Sequence, residues 1–140
     1  MKRKIVTDLN ALKQKSEEVI DKKEIDSILK DLEDSLDLSK GIGLSAIQIG
    51  IPKRIAIIRI GNFYLRLINP EILEKSEIIR VDDEGCLSLP GIYVSTKRYK
   101  YISLENNNEY QNYKNIANIA IQHEIDHMNG KTILDRKWKK

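Results

Sequence analysis

Hydrophobic residues recur every three or four positions after Asp21, which is the spacing of an α-helix with one buried face. The residues on this stripe are Ile25, Ile28, Leu29, Leu32 and Leu36. Asp21 and Glu24 are spaced as in a capping box, which marks the start of a helix. The pattern predicts a core-packing helix that ends at the break Gly41-Ile42-Gly43.

The middle of the chain carries short runs of β-branched and aromatic residues separated by Gly, Pro or Asp. Arg54 to Ile60 indicates a buried strand, and the turn signal Gly61-Asn62 follows it. Further strands are predicted at Tyr64 to Asn69, Ile78 to Val81, Ile92 to Ser95 and Tyr99 to Leu104. The polar stretch Glu105 to Gln111 comes next and carries no predicted element.

Helical spacing returns near the end of the chain and stops at Asn129-Gly130. The residues on this second stripe are Ile116, Ile119, Ala120, His123 and His127. The sequence therefore predicts an α+β fold, with a helical N-terminal segment and antiparallel strands packed around a C-terminal helix. No repeat or Pro/Gly/Ser-rich linker divides the chain, so we expect residues 1–140 to form a single domain.

The composition is typical of a globular protein, with 41% hydrophobic and 32% charged residues among 140. A net charge of +3 does not predict DNA binding. The apolar run after the basic N-terminus is only Ile5-Val6, so we expect neither a signal peptide nor a membrane span, and a cytoplasmic location. Cys86 is the single cysteine, which excludes an intramolecular disulfide and leaves a buried thiol or a chemically active one.

The second stripe ends in two histidines with metal-ligand spacing. His123 and His127 are four residues apart, so on a helix both imidazoles can reach one ion. Glu124 would lie beside that ion, where a carboxylate can take a proton from water and pass it to a leaving group. The alternative is two histidines with only structural hydrogen bonds.

Two imidazoles leave a catalytic metal site one protein ligand short. The thirteen residues after His127 contain no His and no Glu, and Ile133 stands where one class of zinc protease has its third histidine. Cys86 in Glu84-Gly85-Cys86-Leu87-Ser88 is the most economical completion, with a structural thiol as the alternative. In Gly41 to Gly50, the Gln48 amide can stabilise an oxyanion, although a Gly-x-Gly pair after a helix is more often a plain helix stop.

These three segments together resemble the peptide deformylase family. Gly41 to Gln48 matches its first motif with Ser45 in place of alanine, a change between small residues that we expect to matter little. Glu84 to Ser88 and Gln122 to His127 match its second and third motifs, and the resemblance extends from about Ile5 to Asp135.

The resemblance implies hydrolysis of the N-formyl group from N-formylmethionyl nascent peptides, with release of formate. Cys86, His123 and His127 would ligate one divalent metal ion, physiologically Fe²⁺, with Zn²⁺, Ni²⁺ or Co²⁺ able to replace it. Glu124 would be the general base and acid. The Gln48 side chain and the Leu87 backbone N–H would hold the formyl oxygen.

The resemblance also implies where the peptide lies, with its backbone added as a strand beside Ile42 to Leu44. The implied substrate-binding residues are Ile42, Gly43, Gly85, Ile116, Ile119 and Ala120. The last three are equally explained as core. Glu84 and Arg98 would pair to brace the metal-bearing segment, the alternative being two solvated charges. Whether Tyr93 contacts substrate is left open.

The chain resembles a short form without the extended C-terminal helix with which many bacterial members contact the ribosome. Ribosome docking by that helix is therefore not expected, although the basic tail from Arg136 could meet rRNA. An organellar or phage origin and a monomeric state are compatible with this form. The alternatives to a deformylase are a metallopeptidase or other amidase, and an inactive binding module with a structural zinc site.

Overall fold

The computed structural model describes residues 1–139, which form three α-helices, eight strands and two 3₁₀ turns. The helices are α1 (Leu9–Leu12), α2 (Lys22–Ser35) and α3 (Asn115–Met128). The strands are β1 (Gly43–Ser45), β2 (Ile55–Ile60), β3 (Phe63–Ile68), β4 (Glu71–Lys75), β5 (Ile78–Gly85), β6 (Tyr93–Tyr99), β7 (Tyr101–Asn106) and β8 (Glu109–Lys114). The 3₁₀ turns are Ala46–Ile49 and Ile133–Arg136.

All strand pairings between these elements are antiparallel. One sheet has the order β1-β2-β3, a second has the order β4-β7-β8, and β5 pairs with β6. Helix α3 packs among the strands. The predicted α+β class, with antiparallel strands around a C-terminal helix, is confirmed.

Strand β2 is buried on both faces and separates two hydrophobic clusters. Ile55 and Ile57 face the cluster that contains α2, and Ala56 and Ile58 face the cluster that contains α3. All four side chains are fully buried, which follows from the two-residue alternation of a strand. Because the second cluster includes residues of β7, helix α3 is held between the two larger sheets.

Helix α2 begins as its sequence predicts, with the Asp21 side chain accepting a hydrogen bond from the Lys23 N–H. Its predicted end at Gly41–Gly43 is wrong, because the helix stops at Ser35. Asp37 then accepts hydrogen bonds from the N–H and hydroxyl of Ser39, a local turn that competes with further helix. None of the helices within residues 1–139 has the length and apolar character needed to cross a membrane.

The hydrophobic pattern missed three strands, β1, β4 and β8, and only the family resemblance pointed to a strand at β1. The polar stretch Glu105 to Gln111, for which no element was predicted, forms the end of the β7–β8 hairpin. Its tip is Asn107-Asn108, both with positive φ, which asparagine tolerates better than most residues. Strand β8 is too polar and too exposed to show the alternation on which the prediction relied.

Strand β5 contains a bulge just before the predicted metal-binding cysteine. Val81 pairs with Thr96, but Glu84 pairs with Val94, so β5 has one more residue than β6 across this step. Asp82 and Asp83 are consecutive exposed residues, and Asp83 has a φ of 55°. The extra residue turns the Glu84 side chain inward, and Cys86 follows the end of the strand.

Candidate active site

The side chains of Cys86, His123 and His127 converge on one point. Their ligand atoms all lie within 4.8 Å of one another. His127 Nε2 is 3.2 Å from His123 Nε2 and 3.4 Å from Cys86 Sγ. The cysteine comes from the loop after β5, and the histidines come from one face of α3.

The two separations from His127 Nε2 fit ligands around one tetrahedral metal ion. Nitrogen and sulfur ligands bonded at about 2.0 and 2.3 Å lie roughly 3.3 to 3.6 Å apart around such an ion. The observed 3.2 and 3.4 Å are close to those values. Three protein ligands also leave a fourth position for water or substrate, as catalytic sites require.

The outer face of His123 is held by a buried ion pair. His123 Nδ1–H donates to Glu84 Oε2 at 2.6 Å, which leaves Nε2 to face the ligand cluster. Arg98 donates to both oxygens of Glu84, from Nε at 3.0 Å and from a terminal nitrogen at 2.6 Å. The Arg98 and Glu84 side chains are 2% and 9% exposed, so the prediction that they pair is confirmed and solvated charges are excluded.

The ion pair continues to a second carboxylate on α3 and to the C-terminal turn. Arg98 also donates to Asp126 Oδ2 at 2.6 Å. Arg136, in the second 3₁₀ turn, donates to both oxygens of Asp126 at 3.1 and 2.9 Å. Two arginines and two carboxylates therefore alternate along one chain of hydrogen bonds that ends at a metal-ligand candidate.

No comparable brace supports His127. Its side chain is fully buried, and its Nδ1 is one of two buried polar side-chain atoms without a hydrogen-bond partner in the described part of the chain. Burial and the neighbouring charges of His123 and Arg98 hold the pKa of His127 well below its usual range. Neutral imidazole is the form that binds metal.

The partners of His123 raise its pKa, whereas the surroundings of His127 lower the pKa of that residue. Although burial opposes it, the charge of Glu124 and hydrogen bonds to Cys86 and Glu84 raise the pKa of His123 well above its usual value. Burial also opposes ionisation of Glu84, but hydrogen bonds from His123 and Arg98 lower the pKa of Glu84 to about 2. Glu84 is therefore a permanent anion behind this histidine.

Glu124 lies on α3 next to His123 and is 3% exposed. Burial raises the pKa of its carboxyl, and the opposing influence of His123 and of the Ser45 hydroxyl is smaller. Oε1 accepts a hydrogen bond from Ser45 Oγ at 3.0 Å. Oε2 faces Gly43, where an added Cβ would come within 2.5 Å of it.

Two hydrogen-bond donors border the cluster on the cysteine side. Gln48 Nε2 lies 3.6 Å from Cys86 Sγ and donates to Ser88 Oγ at 3.1 Å, while its Oε1 accepts from the Ser45 N–H. The Leu87 N–H has no protein acceptor within residues 1–139. Gln48 is fixed by its neighbours, and Leu87 N–H is available to a ligand.

Comparison with known proteins agrees with this geometry. The family model described as Polypeptide deformylase matches residues 2–140. The chain is 33% identical to a peptide deformylase of Campylobacter jejuni over 151 residues, covering 97% of this chain and 86% of that protein. The chain belongs to the polypeptide deformylase family. It is accordingly a metal-dependent hydrolase with the peptide deformylase function.

Two further matches have the same name. A peptide deformylase of Syntrophomonas wolfei is 41% identical over 114 residues, covering 78% of this chain and 74% of that protein. The crystal structure of peptide deformylase from Thermotoga maritima superimposes with a TM-score of 0.89 at 31% identity, covering 99% of both chains. Sequence and fold therefore indicate the same family.

The six predicted substrate-binding residues of this family member occupy different environments. Ile42 is 41% exposed, just before Gly43 in the edge strand β1. Ile116 is 73% exposed at the start of α3, which excludes the core explanation for it. Ile119 is half-buried, and Ala120 packs against the second hydrophobic cluster. These roles stay predictions.

Gly85 lies against Tyr93, the residue whose role the sequence left open. An added Cβ at Gly85 would lie 2.8 Å from the Tyr93 ring, which is itself largely exposed. The ring therefore covers the backbone directly before Cys86. Its position is compatible with a contact to substrate.

Sequence reasoning missed three polar residues of the site: Asp126, Arg136 and Ser45. Asp126 lies inside the third motif, and a signal was available because an acidic residue next to a metal ligand has to be paired or solvated. Arg136 was considered only as the start of a basic tail that could meet rRNA. Ser45 was judged by its size, and its hydroxyl was not considered.

Proposed function

We propose that the chain removes the formyl group from N-formylmethionyl peptides with a divalent metal ion held by Cys86, His123 and His127. The observation that carries the proposal is the convergence of one thiol and two imidazoles beside a buried carboxyl, that of Glu124. Such an ion supplies Lewis-acid polarisation and activates water at neutral pH. The remaining steps belong to residues of this chain.

Glu124 acts as the proton carrier. Its carboxyl is buried beside His123, and the raised pKa brings it closer to the working pH that an acid and base catalyst needs. It takes a proton from the attacking water and delivers it to the departing amine nitrogen. The C–N bond of the formamide then breaks, and formate and a free N-terminus are released.

Gln48 and Leu87 hold the formyl oxygen as negative charge develops on it. The Leu87 N–H has no competing protein acceptor, and Gln48 Nε2 lies beside Cys86. Donors fixed in place before the reaction stabilise the transition state without reorganisation. Gln48 is fixed in this way, because its other amide atom accepts from the Ser45 N–H.

The peptide substrate adds as a strand to β1. This strand lies at the edge of its sheet, so one row of its backbone groups has no strand partner in the order β1-β2-β3. Ile42, Gly43 and Gly85 would contact the peptide near the formyl group. Ile116, Ile119 and Ala120 would complete the methionine pocket on the side of α3.

We infer that Fe²⁺ is the physiological metal and that Zn²⁺, Ni²⁺ or Co²⁺ can occupy the same site. A thiolate with two imidazoles suits several of these ions, so affinity alone does not select one. Because the substrate is a nascent chain, the protein would act where translation occurs, in the cytoplasm or in an organelle. We further propose a monomer that consists of one catalytic domain.

The test combines anaerobic purification and metal analysis with a formate-release assay. Formyl-Met-Ala should be turned over, whereas acetyl-Met-Ala and unblocked Met-Ala-Ser should not. Equal turnover of all three would instead indicate a broad amidase or peptidase. Glu124→Ala should retain the metal and the fold and abolish turnover; if it keeps full turnover, Glu124 is not the proton carrier.

A further inference from the structure

The Ser45 hydroxyl contacts the proposed proton carrier directly. Ser45 is fully buried, and its Oγ lies 3.0 Å from Glu124 Oε1 and 3.1 Å from the Glu124 carbonyl oxygen. In the motif that this segment resembles, the position is alanine. The two residues are similar in size, but only serine can donate a hydrogen bond.

The single Ser45 hydroxyl proton is shared between Glu124 Oε1 and the Glu124 carbonyl oxygen, and Ser45 is the donor to the Glu124 carboxylate among residues 1–139. No other side chain or backbone N–H in that range donates to Oε1 or Oε2. A carboxyl that is 3% exposed has little access to water that could replace the donor. Its orientation therefore depends on this one contact.

The hydroxyl itself is held in a fixed place. Ser45 pairs with Ala56 of the central strand β2, and its N–H donates to Gln48 Oε1 at 2.9 Å. Across the site, Gly43 leaves room for Glu124 Oε2, since any Cβ there would collide with it. One oxygen of the carboxyl is thus tied to β1 while the other faces the space that glycine leaves.

We propose that Ser45 is a positioning residue for proton transfer, which fixes Glu124 Oε1 and thereby directs Oε2 toward the reacting atoms. The inference rests on the proposed role of Glu124. It assigns to this chain a hydrogen bond that a chain with alanine at this position cannot make. The consequence is a dependence of kcat on a side chain that is neither a proposed metal ligand nor a proposed contact of the formyl group.

The first test is Ser45→Ala, assayed with its metal content verified. We expect kcat to fall roughly tenfold, the size of a lost hydrogen bond to a charged group, with KM changed less than about twofold. Ser35→Ala is the matched control, because Ser35 is also buried and hydrogen-bonded, to the Arg3 N–H far from the site. It should leave kcat and KM unchanged.

The second test does not depend on turnover. Unfolding of the metal-loaded protein is measured for Ser45→Ala, Glu124→Ala and the double variant. If the hydroxyl acts through the carboxyl, the effects on unfolding free energy are non-additive, because the double variant loses a contact that each single variant has already broken. Additive effects would overturn the inference.

The outcomes separate this inference from the proposed function. If Glu124→Ala retains full turnover, the proposed function of Glu124 fails. If that variant is inactive but Ser45→Ala keeps the parent kcat, or changes only KM, the positioning role alone is overturned. Should Ser45→Ala fail to fold, Ser45→Cys keeps a weak donor and should give a reduced kcat; an unchanged kcat contradicts the inference.

Discussion

The two histidines of the site have opposite surroundings although they lie one turn apart on the same helix. His123 donates to Glu84, which is part of a buried chain of charges that runs through Arg98 and Asp126 to the C-terminal turn. His127 is more deeply buried than His123, but its Nδ1 has no partner in residues 1–139. One histidine is therefore held from behind by hydrogen bonds, whereas the other has polar contacts only on the side of the ligand cluster.

This difference determines how each histidine is prepared to act as a metal ligand. A carboxylate behind an imidazole fixes its tautomer and strengthens it as a ligand. An imidazole without such a partner remains neutral, so its Nε2 is free to take a metal ion while its Nδ1 stays without an acceptor. The site therefore has one candidate ligand that is braced from behind by a chain of charges and one that has no brace.

The largest effect is expected from removing the shared cation of the charge chain. Arg98→Ala leaves Glu84 and Asp126 buried without their main partner, which should reduce the free energy of unfolding by about 3 to 5 kcal/mol. Urea unfolding measures this loss. The control is Arg66→Ala, which breaks a half-exposed pair with Glu33 and should cost less than about 1 kcal/mol.

The comparison is sharpened by two substitutions that each remove one carboxylate from Arg98. Glu84→Gln should weaken metal binding roughly 10- to 100-fold, because Glu84 contacts His123 directly. Asp126→Asn should leave metal affinity within a few-fold, since Asp126 contacts neither histidine in the described residues. Competition with a chelator measures the metal affinity of both variants. Equal losses of affinity would show that the hydrogen bond from His123 to Glu84 does not strengthen metal binding.

After metal removal, His123 and His127 should give the free energy of unfolding two opposite pH dependences. His127 has a lowered pKa, so the unfolded chain binds the proton first and stability falls as pH drops below about 6.5. His123 has a raised pKa, so its contribution is complete below about 6.5 and is lost as pH rises through the folded value.

Urea unfolding of the chelator-treated protein across this pH range tests both signs. His127→Gln should abolish the loss on the acid side, and His123→Gln should abolish the loss on the alkaline side. Each group contributes a slope of at most about 1.4 kcal/mol per pH unit. If both variants change the stability loss in the same pH range, the two histidines titrate as one unit, and their opposite pH dependences are not confirmed.

The smallest effect is expected at the exposed end of the charge chain. Arg136 is 40% exposed, so Arg136→Ala should lower the free energy of unfolding by less than about 1 kcal/mol. Asp126 keeps Arg98 in this variant, and the metal content should not change. Lost metal would mean that the C-terminal turn has a larger role in the site than its exposure indicates.

Much of the site could be predicted from the sequence because its chemistry is local. The spacing of His123, Glu124 and His127 requires only a helix, and α3 provides it. Because no His or Glu follows His127, the single cysteine could be predicted as the third ligand. Cys86 lies 41 residues before His127, and the fold brings the two together. No sequence spacing predicts this contact, so it could be inferred only from the need for a third metal ligand.

Contacts that depend on register were beyond the sequence. That Ser45 reaches Glu124, 79 residues away, follows from how β1 packs on α3, and no periodicity encodes it. Strand β8 was missed because an exposed, polar edge strand lacks the hydrophobic alternation that identifies strands. The end of α2 was placed too late because a local Asp37 turn stopped the helix before any glycine.

The bulge in β5 means that the β5–β6 hairpin cannot change its length without changing which side chains face the site. With one residue fewer between Val81 and Glu84, the two-residue alternation would point Glu84 to solvent and remove the acceptor of His123. Most surface loops absorb insertions and deletions, but here a change of a single codon would reverse the face of every later side chain up to the cysteine. The hairpin can therefore vary in sequence during evolution far more readily than in length.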